Sequence, residues 1–575
     1  MRLATFAAVV VCYWCSPNAQ SLQAADYFLT VGGGYGPAGN QVSLERNVIF
    51  QQGVLAEKRP DKPVHDVFFS DGDNELPDLQ YRDPEFEKTC PRAQRMMAEL
   101  LGDPNSMDLV YRNHEIADIR GAAAPNAIRR RLRDLSREVK SGDRLIIYAT
   151  GHGGAADQYQ SYEYESDESD PTPWSDDEET SEQEYNHYDT SLYFWDGESI
   201  TASEFTHWLN RLPKDVTVVL VMVQCYSGGF AHTIFHEADA DLGLAAHARC
   251  GFFSQVHDRA AAGCTPEVNE ADYQEYSSFF WAALAGRTRT GEPITAADYD
   301  ENGVVSFSEA HAYAVIESDT IDVPVRTSDA LLRKYSQSDK KRKKSEGDDE
   351  AASSPFGRLF GGLSGAADSD EPQELLEFSG TIDKLVEIAR PDQRAILEQL
   401  PAKLELKGNP TIEIIQLKLT QVTAKGTAAG AKLAMASSAY ANALERVQED
   451  LRGTWPELET ANSPLLMALA SDRADEFIAH VEGLGTYESL CAARERVEKL
   501  SDEQQGLLHQ EAKFQRLLRT AENVVLAANL ARIAPEEIVD RYEQMVSLEE
   551  GALTVPDPTA ATAAAVESPT EPVAK

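Results

Sequence analysis

Cysteine is scarce in this 575-residue chain, which has only seven. That excludes a small disulfide-stapled scaffold, where cross-links stand in for a core. Basic residues are also in short supply, with 53 Lys and Arg against 95 Asp and Glu and a formal net charge of −42. Such a surface repels phosphate backbones and anionic lipid, so it argues against nucleic-acid partners and peripheral membrane anchoring. Long apolar runs are missing after the N-terminus, and no later stretch reaches the roughly 18 apolar residues that a membrane span requires. What is present suffices for packing: 42% of residues are hydrophobic. The length exceeds one ordinary core, so two or more domains are expected.

The N-terminus carries Arg2, an apolar run from Leu3 to about Trp14, and a small, polar stretch from Ser16 to Ala25. This is the layout of a secretory signal peptide over residues 1–25 and predicts a secreted or periplasmic protein. Export leaves Cys90, Cys225, Cys250, Cys264 and Cys491. Cys250 and Cys264 are near enough in sequence for a local bridge, and spacing alone leaves their pairing open.

Short apolar runs alternate with helical patterns over residues 26–335. Tyr27–Val31 runs into Gly32, Val67–Phe69 stops at Ser70-Asp71-Gly72, Leu145–Ala149 stops at Thr150-Gly151-His152, and Val216–Val223 stops at Gln224-Cys225. Runs of this kind, halted by Gly or polar residues, predict strands buried on both faces. Segments such as Ala93–Leu101 and Ala127–Val139 predict the intervening helices. The fold class expected is therefore α/β, a mostly parallel sheet flanked by helices. Residues 156–189 read as a solvated insertion, because Asp157 to Asp189 holds 13 acidic residues and no Lys or Arg. A linker follows over 336–373, with the basic run Lys340–Lys344. Apolar residues at helical spacing over Ile382–Leu400, Ala431–Leu451 and Phe514–Ala528 then predict an α-helical domain over 374–549, open to a protein partner. A Pro-, Thr- and Ala-rich tail closes the chain over 550–575.

His152 and Cys225 both fall at carboxyl ends of predicted strands, where open α/β sheets gather their chemistry. A thiol is mostly protonated at neutral pH, and a nearby imidazole can take its proton and return one to a leaving amine. The backbone N–H groups of Gly153 and Cys225 are candidate oxyanion donors. Tyr148-Ala149-Thr150-Gly151-His152-Gly153-Gly154 and Val223-Gln224-Cys225-Tyr226-Ser227-Gly228-Gly229-Phe230 resemble the His and Cys blocks of the caspase–legumain–gingipain clan of cysteine peptidases. The resemblance covers about residues 26–320 and is nearest to legumain-like members. It implies a caspase-like sheet, a Cys-His dyad and endopeptidase activity. It also implies substrate-pocket roles for Arg46 and Ser254. The chain departs from legumains at Val223, where they carry an acid, and at Asn47, where they carry a histidine.

A second motif lies in the same region. Asp298-Tyr299-Asp300-Glu301-Asn302-Gly303-Val304-Val305-Ser306-Phe307-Ser308-Glu309 fits the twelve-residue calcium loop at positions 1, 3, 5, 6, 9 and 12. Asp298, Asp300, Asn302, Val304 through its carbonyl, Ser306 and Glu309 are the expected ligands of a structural Ca²⁺, followed by a helix from about Ser308 to Ile316. The sequence leaves two alternatives to an active peptidase. One is a catalytically silent scaffold of the same fold; the other is a calcium-binding surface or structural protein.

Overall fold

The computed structural model describes residues 24–156, 186–294, 297–336, 375–459 and 463–553. Most of the proposed signal peptide, of the acidic insertion, of the linker and of the tail lies outside these residues.

The strands, in chain order, are β1 (Asp26–Gly33), β2 (Val64–Phe69), β3 (Leu79–Arg82), β4 (Leu109–Arg112), β5 (Ile119–Gly121) and β6 (Arg144–Gly151). There follow β7 (Gly153–Gly154), β8 (Ser191–Tyr193), β9 (Ser199–Thr201), β10 (Thr217–Met222), β11 (Arg249–Phe253) and β12 (Val325–Arg326). Seven of them form the main sheet in the order β12-β11-β10-β6-β1-β2-β5. All its pairings are parallel except β11 with β12. Val218 to Met222 of β10 are all 0% exposed, so both faces of this strand are covered, as a continuous Val/Leu run in a parallel sheet requires. The mostly parallel α/β architecture expected from the alternating pattern is thus the observed one.

The order matters more than the count. From β1 the chain builds outward through β2 to β5, then returns to the other side of β1 as β6 and continues through β10 to β11. Successive units therefore diverge between β1 and β6, and crevices open at the carboxyl ends of strands at such a switch point. His152 directly follows β6, and Cys225 lies three residues beyond β10, the next strand over.

The expected helix Ile382–Leu400 is instead two, Ile382–Val386 and Pro391–Lys403. Pro391 lacks an N–H and crowds the residue before it out of the helical region; Arg390 is accordingly extended at φ −64°, ψ 159°. The later patterns belong to much longer helices, Ile412–Thr454 and Gly485–Ile533, of 43 and 49 residues. A final helix spans Glu536–Glu549.

The helices after residue 374 share their cores with the α/β region. Leu526, Leu530, Tyr542, Met545 and Val546 belong to the cluster that covers the sheet. Phe514, Leu517 and Val524 pack with Val315 and Ile316 of the helix Phe307–Glu317. At the far end, Val447, Leu451 and Leu490 pack with Met96 and Leu100 of the helix Arg92–Leu101.

Buried ion pairs run through this seam. The Arg326 guanidinium, 4% exposed, meets Asp392 at 2.7 Å, Glu549 at 3.6 Å and Asp329 at 3.9 Å. Arg516, 2% exposed, donates to the carbonyls of Val315, Ser318, Thr320 and Asp322 at 2.6–3.2 Å. Removing one member of such a cluster strands the others in a low dielectric, at about 3–5 kcal/mol. Arg326→Leu is expected to lower unfolding stability by at least that amount in urea titrations. A loss below about 1 kcal/mol would show that the cluster is a solvated surface feature instead.

Candidate active site

Cys225 is set by the turn that ends β10. Val223 N–H donates to Ala149 of β6 at 3.0 Å, carrying the sheet pairing one residue past the strand. Tyr226 then takes the left-handed region at φ 59°, and a 3₁₀ helix over Ser227–Ile234 carries the chain away. The turn is tied from both sides. Tyr226 N–H donates to the Arg259 carbonyl at 2.9 Å, Thr190 Oγ1 donates to the Tyr226 carbonyl at 2.9 Å, and Gln255 N–H donates to Ser227 Oγ at 3.2 Å.

His152 is held from the opposite wall. Its Nε2 lies 2.7 Å from the Gly39 carbonyl and 3.1 Å from Gln41 Oε1. Both are acceptors, so Nε2 carries the proton and Nδ1 is left as the basic nitrogen. Tyr35 packs against the ring with centroids 5.2 Å apart. Burial pushes the His152 pKa below its usual value, while the Gly39 carbonyl pulls the other way. Burial pushes the Cys225 thiol up, the Ala261 backbone hydrogen bond opposes that, and Asp322 adds to the rise.

The two turns touch through Gly153. A methyl group there would collide with the Cys225 carbonyl oxygen and come within 2.7 Å of the Gln224 side chain and 2.8 Å of the Ser191 carbonyl. The His152 carbonyl accepts from Tyr193 N–H at 3.0 Å, and Gly153 faces Leu192 of β8. That register puts Gly153 at a non-hydrogen-bonded position of the ladder, so its N–H is not used there. His152 and Cys225 have separate hydrogen-bond partners. Ala261 N–H donates to the Cys225 sulfur at 3.2 Å, and that sulfur lies 3.7 Å from the Ala261 carbonyl.

Arg46 lies in the helix Val42–Lys58, next to the loop that holds His152, and sits 3.8 Å from both Glu45 and Glu270. Ser254 is 1% exposed, with its Oγ 3.3 Å from Ser227 Oγ. It braces the turn after Cys225 and does not line an open surface. Asn47, at the departure from the legumain pattern, bridges Thr150 Oγ1 at 3.2 Å and Arg289 at 2.6 Å, and so braces the end of β6. Cys250 and Cys264 are not bonded to each other. Cys250 is buried in β11, while the Cys264 sulfur stands 3.9 Å from the Gly151 carbonyl. Asp189, assigned to the acidic insertion, is fixed: its carboxylate accepts from Ser203 N–H at 2.8 Å and Ser203 Oγ at 3.0 Å.

In the acidic loop, carboxylate oxygens of Asp298, Asp300 and Glu309 lie within 4.8 Å of one another, a span that one cation with bonds of about 2.3–2.6 Å can bridge. Gly303, at φ 88°, makes the turn. Asn302 Oδ1 accepts from Val304 N–H at 2.8 Å. Ser306 caps the helix Phe307–Glu317, and Glu309 returns the bond to Ser306 N–H at 2.9 Å. This capping box was present in the sequence as Ser306-x-x-Glu309, and it gives both residues a second role. A further group, Asp71, Asp78 and His114, also clusters within 4.8 Å. There the Asp78 carboxylate is already taken up by His114 N–H at 2.9 Å and Nδ1 at 2.8 Å.

No protein-family model and no curated protein matches the chain. Among solved structures it is similar to a protein of Geobacter sulfurreducens known from a crystal structure, at 12% identity and a TM-score of 0.21, covering 42% of this chain and 77% of that one. A likeness so faint carries no argument about fold or function. Among the described residues, no helix is long and apolar enough to cross a membrane.

The contact at Gly153 yields a direct test. Its neighbours are mostly backbone and cannot swing aside, so Gly153→Ala must push the two turns apart, at about 1–3 kcal/mol of overpacking. A lower melting temperature and altered alkylation of Cys225 by iodoacetamide are expected. Unchanged values for both would mean that the two turns are not in contact.

Proposed function

We propose that this protein is an exported cysteine endopeptidase in which Cys225 is the nucleophile and His152 the general base. The observation that carries the reading is the placement of the two residues on adjoining turns, His152 beside the switch point after β6 and Cys225 after the neighbouring β10, in contact through Gly153. The Gly39 carbonyl fixes the imidazole tautomer, as the third member of a nucleophile–base–orienter set does. In the reaction, Nδ1 of His152 takes the thiol proton as sulfur attacks the peptide carbonyl. The oxyanion forms beside the Gly153 and Cys225 N–H groups, and collapse expels the amine with the proton from Nδ1. Water, activated by the same nitrogen, then cleaves the thioester. Arg46 is the substrate-contacting cation of this proposal, and Ser254 acts through the turn it supports.

Cys225→Ala and His152→Ala are each expected to reduce kcat/KM on a mixed peptide library by about 10³-fold or more. For the wild type, the depressed His152 pKa keeps the imidazole neutral, and so basic, to lower pH than an ordinary histidine. The acid limb of kcat/KM is therefore expected below the usual value of about 6.5. Equal cleavage by wild type and Cys225→Ala would overturn the assignment. A second reading, a silent scaffold of the same fold, draws on the raised thiol pKa and the separate partners of the two residues. It predicts no cleavage and no labelling by a thiol-directed acyl probe.

The acidic loop belongs to this proposal as a structural Ca²⁺ site. Asp298, Asp300 and Glu309 would supply carboxylates, with Asn302, Ser306 and the Val304 carbonyl completing an oxygen shell. Its position gives it leverage, because Phe307 N–H donates to Gly551 at 2.8 Å and so pins the last described residues to the loop. Chelation is expected to lower the wild-type melting temperature by about 2–5 °C. Asp298→Asn should melt at the chelated value with or without added Ca²⁺. Identical wild-type melts in Ca²⁺ and EGTA would leave Ser306 and Glu309 as a helix cap alone.

A further inference from the structure

The helices beyond residue 374 have no part in the dyad, yet one of them reaches toward it. Arg516, on the helix Gly485–Ile533, donates through Nε to the Asp322 carbonyl at 2.6 Å and through its other nitrogens to the carbonyls of Val315, Ser318 and Thr320. This grip shapes the segment between the helix Phe307–Glu317 and β12. Asp322, 0% exposed, directs Oδ1 the other way and accepts from Ala262 N–H at 2.8 Å. The neighbouring Ala261 is the residue whose N–H meets the Cys225 sulfur at 3.2 Å. Gln255 supplies a parallel tie, with Nε2 donating to the Ala260 carbonyl at 3.1 Å and Oε1 accepting from Val323 N–H at 3.0 Å.

We infer that Asp322 is a positioning residue for the nucleophile, holding the loop over residues 260–263 so that the Ala261 N–H meets the Cys225 sulfur, and that Arg516 brings the helical region to bear on that sulfur through Asp322. The inference rests on Cys225 being the proposed nucleophile and assigns the helical region a part in that site. The physical logic has two opposed effects. An N–H aimed at sulfur favours the thiolate, whereas a buried carboxylate nearby disfavours it. Asp322 supplies both, the first through Ala262 and Ala261 and the second directly. Other ionisable groups in this neighbourhood include His152 beyond β6, Arg259 in the same loop, whose side chain donates to Gln515 at 2.6 Å, Cys264 in the loop after β11, Glu275 ahead of the helix Tyr276–Ala285, and Arg516 itself.

Two substitutions at one position separate these effects. Asp322→Asn keeps an oxygen to accept from Ala262 and removes the charge; Asp322→Ala removes both. The readout is the rate of Cys225 alkylation by iodoacetamide against pH, located by peptide mass spectrometry on the full chain. It needs no peptidase activity. Asp322→Asn is expected to displace the profile to lower pH, giving roughly threefold faster labelling at pH 7. Asp322→Ala is expected to displace it to higher pH, with labelling slowed about tenfold. Arg516→Met should shift it in the same direction as Asp322→Ala. Shifts of one sign in both Asp322 variants, or none in either, overturn the inference. If Asp322→Ala does not fold, an unshifted Asp322→Asn profile does so alone. Opposed shifts in a protein that cleaves no peptide would uphold the positioning role and sink only the peptidase reading.

Discussion

The backbone of Gly153 runs so close to the Cys225 carbonyl that no side chain fits between them. The rest of the candidate site depends on that approach. It requires β6 and β10 to be neighbours, which the sheet order provides. It also requires the chain after His152 to leave as a narrow ribbon, which β7 and β8 provide by pairing at Gly153 and Gly154. A larger residue at Gly153 would push the turn after His152 away from the turn at Cys225 even with every strand intact. Gly228 obeys the same constraint on the other side of the turn, where a methyl group would come within 2.6 Å of the Gln255 carbonyl and 2.7 Å of the His257 nitrogen. The glycines flanking His152 and Cys225 are thus steric conditions for the turns to meet.

The sequence made the sheet legible because its signals are local. A Val/Leu run buried on both faces reads as a parallel strand wherever it is placed, and its end is marked by the residue that stops it. His152 and Cys225 could be found because each follows such an end. Their partners could not. Gly39 lies 113 positions before His152, Ala261 lies 36 beyond Cys225, and Arg516 lies 194 beyond the Asp322 carbonyl it grips. None of these pairs shares a helical or strand period, so nothing in local patterning couples them. Ser254 shows the converse. The resemblance located it near the site, but only the fold shows that its hydroxyl faces Ser227 beneath the turn. Pro391 was a readable signal, since a proline inside an apolar helical pattern marks a boundary, and the two helices part there.

The helical region changed meaning most. Periodicity gave helices and a separate stretch of chain, yet a hydrophobic stripe says nothing about what covers it. In the structure the stripe of Phe514, Leu517 and Val524 packs on Val315 and Ile316, and that of Leu526 and Leu530 packs on the core around the sheet. The buried arginines then fix the register of that packing. Dispersion alone would tolerate a helix sliding along its neighbour, but Arg516 has its carbonyl acceptors in only one position. Its guanidinium is held below its ordinary pKa, to about 10, by burial, against the pull of Asp322. Carbonyl dipoles and two neighbouring acids, Asp322 and Asp319, without a bidentate carboxylate partner, leave it a directional tie.

Burial shapes the chemistry as it shapes the packing. It favours the neutral form of each partner, lowering the imidazole and raising the thiol. A resting thiolate–imidazolium pair is therefore disfavoured relative to thiol and imidazole. In the proposed peptidase reaction, proton transfer would then have to coincide with attack, when the developing oxyanion and its donors offset the cost of separating charge. In that proposal the burden falls on the Gly153 and Cys225 N–H groups for the oxyanion, while the Ala261 N–H meets the sulfur. The same logic gives Asp322 its ambivalence. Burial holds its own carboxyl up at about 6, with the Ala262 N–H and Arg516 pulling it down. Asp322 therefore loses its charge, and with it the direct opposition to the thiolate, as pH falls through about 6.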